Sequence, residues 1–249
     1  MIYPFILTAV AGLATLFGTI PIFIKIKNND KLIAAGCSFA SGVMICVSIV
    51  DLIPEGLNYL RISYNNLLVI IFSFIAIIIG IISAILLDNL VDNVSNSNKL
   101  FKVGILSMIV IILHNIPEGI ITFIISNKNI VLGVSICIAI ALHNIPEGIS
   151  IAIPIYYSTG SKFRAIIYTF ISAISELFGA ILTYLFLNKY VNDTILGLIL
   201  NFTAGIMLAI SSEKLLPTGK SYDYKTANLY FIIGFMFILF TLLLNNLIS

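Results

Sequence analysis

Charge is scarce in this chain. Only 10% of its 249 residues are Asp, Glu, Lys or Arg, against about 25% in a soluble domain. Helices this poor in charge have no polar face to offer water, which excludes a soluble helical bundle. Cysteine is equally sparse. Cys37, Cys46 and Cys137 sit singly in apolar stretches without CxxC spacing, which excludes a disulfide framework and makes them small packing residues. The basic residues form no patch, so no nucleic-acid partner is expected. No segment alternates with a period of two, as the strands of a membrane barrel would. The first apolar run lacks a basic leader and a small-residue cleavage site, and reads as a retained helix. A Walker-type phosphate loop is absent too, which excludes an ATP-driven pump of that type.

What is abundant is hydrophobic residues, 60% of the chain. They form runs of about twenty, the length that crosses a bilayer core of roughly 30 Å. The runs predict an all-α integral membrane protein of eight transmembrane helices, at 4–25, 32–55, 66–88, 101–125, 129–155, 164–187, 194–216 and 228–248. Together they make one transmembrane domain, 1–249, whose environment is lipid. Alternating the loops puts Lys25, Lys27, Lys31, Lys99, Lys102, Lys162, Arg164, Lys214, Lys220 and Lys225 on one side. Arg61, Lys128 and Lys189 fall on the other. By the positive-inside rule the first side faces the cytoplasm, and both termini lie outside it.

One octapeptide occurs twice. Leu113 to Ile120 and Leu142 to Ile149 both read LHNIPEGI, 29 residues apart, near the middles of predicted helices 4 and 5, which run in opposite directions. Residues three and four apart share a helix face, so His114 and Asn115 both neighbour Glu118. His143, Asn144 and Glu147 repeat the arrangement. Pro117 and Pro146 are expected to kink the helices and free a carbonyl four residues back. Gly119 and Gly148 allow neighbouring helices to approach closely. Two imidazoles, two carboxylates and two amide oxygens suit zinc and other divalent first-row metals, while the lack of thiolates disfavours Cu(I). Both histidines of the chain are in the motif. Glu118, Glu147 and Glu176 are the acids farthest from predicted helix ends, where a charge costs at least about 2.5–3.5 kcal/mol and usually has a function. Glu176 is either a further ligand or a carboxylate that pairs helices. Asp51, Glu55 and Glu213, near helix ends, are either solvated or at an entrance.

A second echo is looser. Ser38–Gly56 (SFASGVMICVSIVDLIPEG) aligns without gaps to Asn201–Gly219 (NFTAGIMLAISSEKLLPTG), offset by 163, with seven of nineteen positions identical. These are predicted helices 2 and 7, again antiparallel. Inverted three-helix repeats, helices 1–3 and 6–8, are therefore expected around the central helix 4–5 pair, a plan that places a substrate site on the axis. The remaining outer helices show no such echo.

The paired HNIPEG, the glutamate on helix 6 and the eight-helix plan resemble the ZIP family of divalent metal-ion transporters, and within it the bacterial ZupT-type zinc transporters. The resemblance covers essentially the whole chain. It implies a two-metal site between helices 4, 5 and 6. One ion would be held by His114, Glu118, His143 and Glu147. The other would use Asn115, Glu118, Asn144, Glu147 and Glu176, the central glutamates bridging. It also implies Zn²⁺ as a transported substrate rather than a cofactor, often with Fe²⁺, Mn²⁺, Co²⁺ or Cd²⁺, moved into the cytoplasm across the cell membrane by a carrier or facilitator. Homodimerisation stays open. Two departures stand out. Asp88–Lys99 has no histidine, so metal capture by that loop would rest on Asp88 and Asp92; and helix 7 ends in Glu213-Lys214 where relatives often carry an acidic pair. A membrane metalloenzyme would want HExxH or repeated ExxH, both absent. A metal sensor would want a soluble output domain, for which these loops are too short.

Overall fold

The computed structural model describes residues 2–25, 27–94, 98–186 and 192–248, and the side chains of 92–94 and 242–248 are not among what it describes. Lys189, residue 187 of predicted helix 6 and the side chain of Asp92 lie outside the described residues. The described chain is helical, with eight helices long and apolar enough to cross a membrane. They are α1 (Ile2–Phe23), α2 (Asn29–Arg61), α4 (Lys99–Lys128), α5 (Ile130–Thr159), α6 (Lys162–Leu185) and α7 (Asp193–Tyr222), with α3 (Asn66–Val94) and α8 (Tyr224–Ile248). Each coincides with an expected run, though most extend a few residues further because polar caps carry them past the apolar stretch. The side chains of Asn28, Asn98, Asn129, Ser161 and Asn192 each accept a hydrogen bond from a first-turn backbone N–H, satisfying donors that a helix start leaves orphaned.

Asn129 alone separates α4 from α5. The chain turns back there, and the two octapeptides face each other, with His143 against Glu118 and His114 against Glu147. α4 and α5 run as α-helix through Pro117 and Pro146. Irregular backbone lies elsewhere. The second half of α1, Ala14–Phe23, is 3₁₀ helix. Single π-helical stretches occupy Ser48–Leu52 of α2 and Ser211–Leu215 of α7, each just before a proline, Pro54 and Pro217, whose missing N–H and bulky ring a wider turn accommodates. Those two stretches are related by the same offset of 163 residues.

The helices are clasped where backbones nearly touch. A Cβ added to Gly42 on α2 would stand 2.2 Å from the Phe231 carbonyl oxygen on α8, and one on Gly234 of α8 would stand 2.2 Å from that of Phe39 on α2. The α3–α7 contact repeats the pattern, Gly205 against the Ile77 oxygen at 2.2 Å and Gly80 against that of Phe202 at 2.1 Å. Close approach at small residues is how apolar helices gain packing where lipid supplies no hydrophobic drive. In the centre, Gly119 of α4 meets the backbone of Glu176 on α6, and Gly148 of α5 meets that of Thr15 on α1. The buried apolar core between α2, α4, α5 and α7 includes Met44, Val110, Ile111, Ile151 and Met207. Long Ile, Leu and Phe side chains of α3, α6 and α8 remain exposed on the outside.

Candidate metal centre

All seven residues singled out from the motifs are buried and meet where α4, α5 and α6 pack together; His114 and Glu147 are 1% exposed and Glu176 is 0%. His143 Nε2 and Glu118 Oε1 share a hydrogen bond of 2.9 Å across the α4–α5 interface. His114 Nε2 lies 3.1 Å from Glu118 Oε1 and 3.2 Å from Glu147 Oε1, yet neither of its nitrogens makes an aligned hydrogen bond. The imidazole rings are 6.1 Å apart. Among the described residues, ligand atoms of His114, Glu118 and His143 lie within 4.8 Å of one another, and Glu147 joins this trio through His114. Four ligands at about 2.0–2.2 Å from a tetrahedral zinc ion stand about 3.3–3.6 Å apart. The three His–Glu contacts, at 2.9, 3.1 and 3.2 Å, are a few tenths of an ångström shorter than that.

Further oxygens of the same seven residues, Asn115 Oδ1, Asn144 Oδ1, Glu118 Oε2, Glu147 Oε2 and Glu176 Oε1, are buried, and among the described residues none has a hydrogen-bond partner. Their other atoms are fixed: Asn115 Nδ2 donates to the Ser172 carbonyl at 3.2 Å, and Asn144 Nδ2 donates both to the Ala11 carbonyl at 2.9 Å and to Glu176 Oε2 at 2.8 Å. With its N–H donors engaged, each amide is left with a buried oxygen acceptor that has no partner among the described residues. Buried oxygens without donors are costly, and a hard or borderline cation is the partner they suit. Of the two roles open to Glu176, the structure describes the helix pairing. One oxygen joins helices through Asn144 and the other is unengaged.

The acids near helix ends separate into two groups. Asp51 and Glu55, on and just after the π-helical stretch of α2, line a cavity of about 260 Å³ together with Glu118 and His143. Glu213 lines another of about 200 Å³ at the opposite end, with Asp88, Lys99, Lys102 and Lys214. Asp88 is not in a loop. It belongs to α3, which runs on to Val94, and is ion-paired with Lys214 at 2.5 Å, which leaves it committed rather than available for capture. The α1 contribution had no signal in the residue pattern, because the Ala11 carbonyl is backbone. The small residues Ala11, Gly12, Thr15 and Gly18 could have signalled a helix pressed against the centre.

Comparison with known proteins gives a consistent likeness. The family described as ZIP zinc transporter matches residues 95–242. The chain is 34% identical to the zinc transporter ZupT of Clostridium perfringens, over 94% of this chain and 93% of the relative. It is 35% identical to that of Oceanobacillus iheyensis, over 95% of both, and 33% identical to that of Chlorobaculum parvum, over 96% of both.

Proposed function

Since this chain belongs to the ZIP zinc transporter family, we propose that it carries Zn²⁺ across the cell membrane as a carrier or facilitator rather than an enzyme. Fe²⁺, Mn²⁺, Co²⁺ and Cd²⁺ are further substrates in this reading. The observation that carries it is the central cluster: His114, Glu118 and His143 offer ligand atoms within 4.8 Å of one another, Glu147 contacts His114, and buried oxygens of Asn115, Asn144, Glu118, Glu147 and Glu176 have no hydrogen-bond partner among the described residues. The first set holds one ion and the second another, with Glu118 and Glu147 bridging through their two oxygens. Imidazole nitrogen with carboxylate oxygen binds borderline first-row divalent ions and gives Cu(I) little to bind.

Residues 1–249 act as one transmembrane unit built from inverted repeats, α1–α3 and α6–α8, around α4 and α5. Support comes from the matched π-helical stretches and from the reciprocal glycine contacts of α2–α8 and α3–α7. Under that relation Thr15 of α1 stands where α6 has Glu176, each backbone pressed on a motif glycine. The axis is thus broken at one ligand. The lysine-rich end lies in the cytoplasm and both termini outside. The cavity lined by Asp51 and Glu55 then opens outward and reaches Glu118 and His143 directly, so the conformation is the one that loads metal from outside. Release follows when the repeats rock and expose the other face.

The test is uptake into liposomes containing the purified protein and a zinc-sensitive dye: saturable entry of external Zn²⁺ supports carriage, and stoichiometric binding without entry refutes it. Two results follow within the same assay. Neutralising the vestibule with Asp51→Asn and Glu55→Gln raises the KM for external zinc by about threefold to tenfold with little change in maximal rate, because an acidic cavity concentrates cations; an unchanged KM would remove the vestibule from the pathway. Zinc binding in weak buffer releases protons, because the metal takes carboxylates ionised and imidazoles neutral and so displaces any proton that a carboxyl or an imidazolium of the cluster holds. Calorimetry in buffers of different ionisation enthalpy measures it, and a signal independent of buffer would contradict it.

A further inference from the structure

Asp51 and Lys214 occupy the same place in two related helices. Both lie in a π-helical stretch three residues before a proline, Pro54 or Pro217, at the repeat offset of 163. At one end of the molecule the position is a carboxylate facing a cavity that reaches the metal centre. At the other it is an ammonium, bonded at 2.5 Å to Asp88 of the neighbouring helix α3. The second cavity, lined by this ion pair and by Glu213, Lys99 and Lys102, goes no deeper along α4 than Leu106. Leu106 lies eight residues, about 12 Å of helix, before His114. Val110 and Ile111, buried at 1% and 0% exposure, fill the interval.

From this we infer that Lys214 is a residue of the transport pathway, a tethered cation that holds Asp88 while the inner half of the path is closed and lets go of it as metal leaves. The inference rests on the transport reading above, which makes the lysine-rich end the exit. Its physical basis is competition for one carboxylate. A divalent ion descending toward Asp88 and Glu213 meets an acid already neutralised by the chain's own ammonium, so the closed mouth holds no free acidic pair to trap zinc. The side chains of the pair are 30% and 23% exposed, so solvent reaches them and exchange of partners needs no unfolding. A latch of this class biases the closed state by up to about fivefold, the upper range for partly exposed pairs.

The experiment places a reporter in the closed segment. Val110→Cys is introduced after Cys37, Cys46 and Cys137 are replaced by alanine, and a maleimide is applied to the lysine-rich face. Labelling is expected to be slow with Lys214 intact, to rise about fivefold in Lys214→Gln and in Asp88→Asn, and to stay slow in Lys214→Arg, which keeps the cation. Equal labelling with Lys214 and Lys214→Gln, or fast labelling in Lys214→Arg, would overturn the latch. Because the cysteine replacements are themselves in the core, the same Lys214 variants are also assayed for zinc entry in the native-cysteine chain. There Lys214→Gln is expected to raise the maximal rate with KM within about twofold, since the vestibule at the other end is untouched, and an unchanged maximal rate would count against the latch. If the parent chain moves no zinc while labelling follows the expected order, the latch stands as a gate and the transport reading fails.

Discussion

Glu118→Ala combined with Glu147→Ala abolishes saturable zinc entry into sealed vesicles, lowering it by more than about a hundredfold. Loss of even an outer-shell partner costs a metal site about 10–100-fold, and here two of the four proposed ligands go, together with both bridging groups of the second set. The single variants are not equal. Glu118 Oε1 meets both imidazoles, at 3.1 and 2.9 Å, whereas Glu147 Oε1 meets His114, at 3.2 Å. Glu118→Ala therefore has the larger effect on zinc affinity of the two. Removing a buried carboxylate also leaves imidazoles without their acceptor, so unchanged helicity by circular dichroism and unchanged elution by size exclusion accompany the flux measurement. Saturable entry within about fivefold of the parent chain, in a folded double variant, would sink the assignment of these residues.

The second large effect is on stability. At Gly119 an added Cβ would stand 1.9 Å from the carbonyl oxygen of Glu176, and at Gly148 1.9 Å from that of Thr15. In each case the obstacle is backbone, which cannot swing aside as a side-chain tip can. Either alanine variant pushes a central helix off its neighbour. Overpacking of this sort costs about 1–3 kcal/mol, and valine in the same place more. Gly119→Ala carries a further consequence, because the atom it displaces belongs to Glu176. Separating α4 from α6 moves the Glu176 carboxylate away from Asn144 and the unpartnered oxygens, so zinc affinity falls along with the melting temperature. Gly160 is the control. It ends α5 with φ of +68° and has nothing within 4 Å of a Cβ position, and Asn, which tolerates that conformation, replaces it at small cost. Thermal unfolding in detergent measures all three. Gly119→Ala melting with the parent chain would mean that the α4–α6 contact is looser than described.

Much of this was legible in the residues. Eight apolar runs became eight helices because in lipid a segment of that length has no way to satisfy its backbone except as a helix or within a closed barrel. The octapeptides came together because a helix face is set by spacing alone and a one-residue link turned one motif back on the other. The ends of the helices were less readable, since Asn28, Asn98 and Asn129 extend them through hydrogen bonds that hydropathy does not register. Pro117 and Pro146 sit inside unbroken helices, whereas Pro54 and Pro217 are the ones preceded by π-helical backbone.

What the sequence determined by itself is therefore whatever depends on local periodicity and composition: the medium, the number of spans, which side chains share a helix face, and the rarity that singled out two histidines and three central glutamates. The tertiary structure decided everything that depends on which backbone lies against which. It tied Asn115 to Ser172 and Asn144 to Ala11, which leaves both buried amide oxygens without a partner among the described residues. It divided Glu176 between a helix contact and an unengaged oxygen. It joined Asp88 to Lys214 across more than a hundred residues of chain. Such pairings are invisible in the sequence because a carbonyl carries no residue identity, and because an ion pair between helices depends on their rotation and depth, which packing at small residues sets.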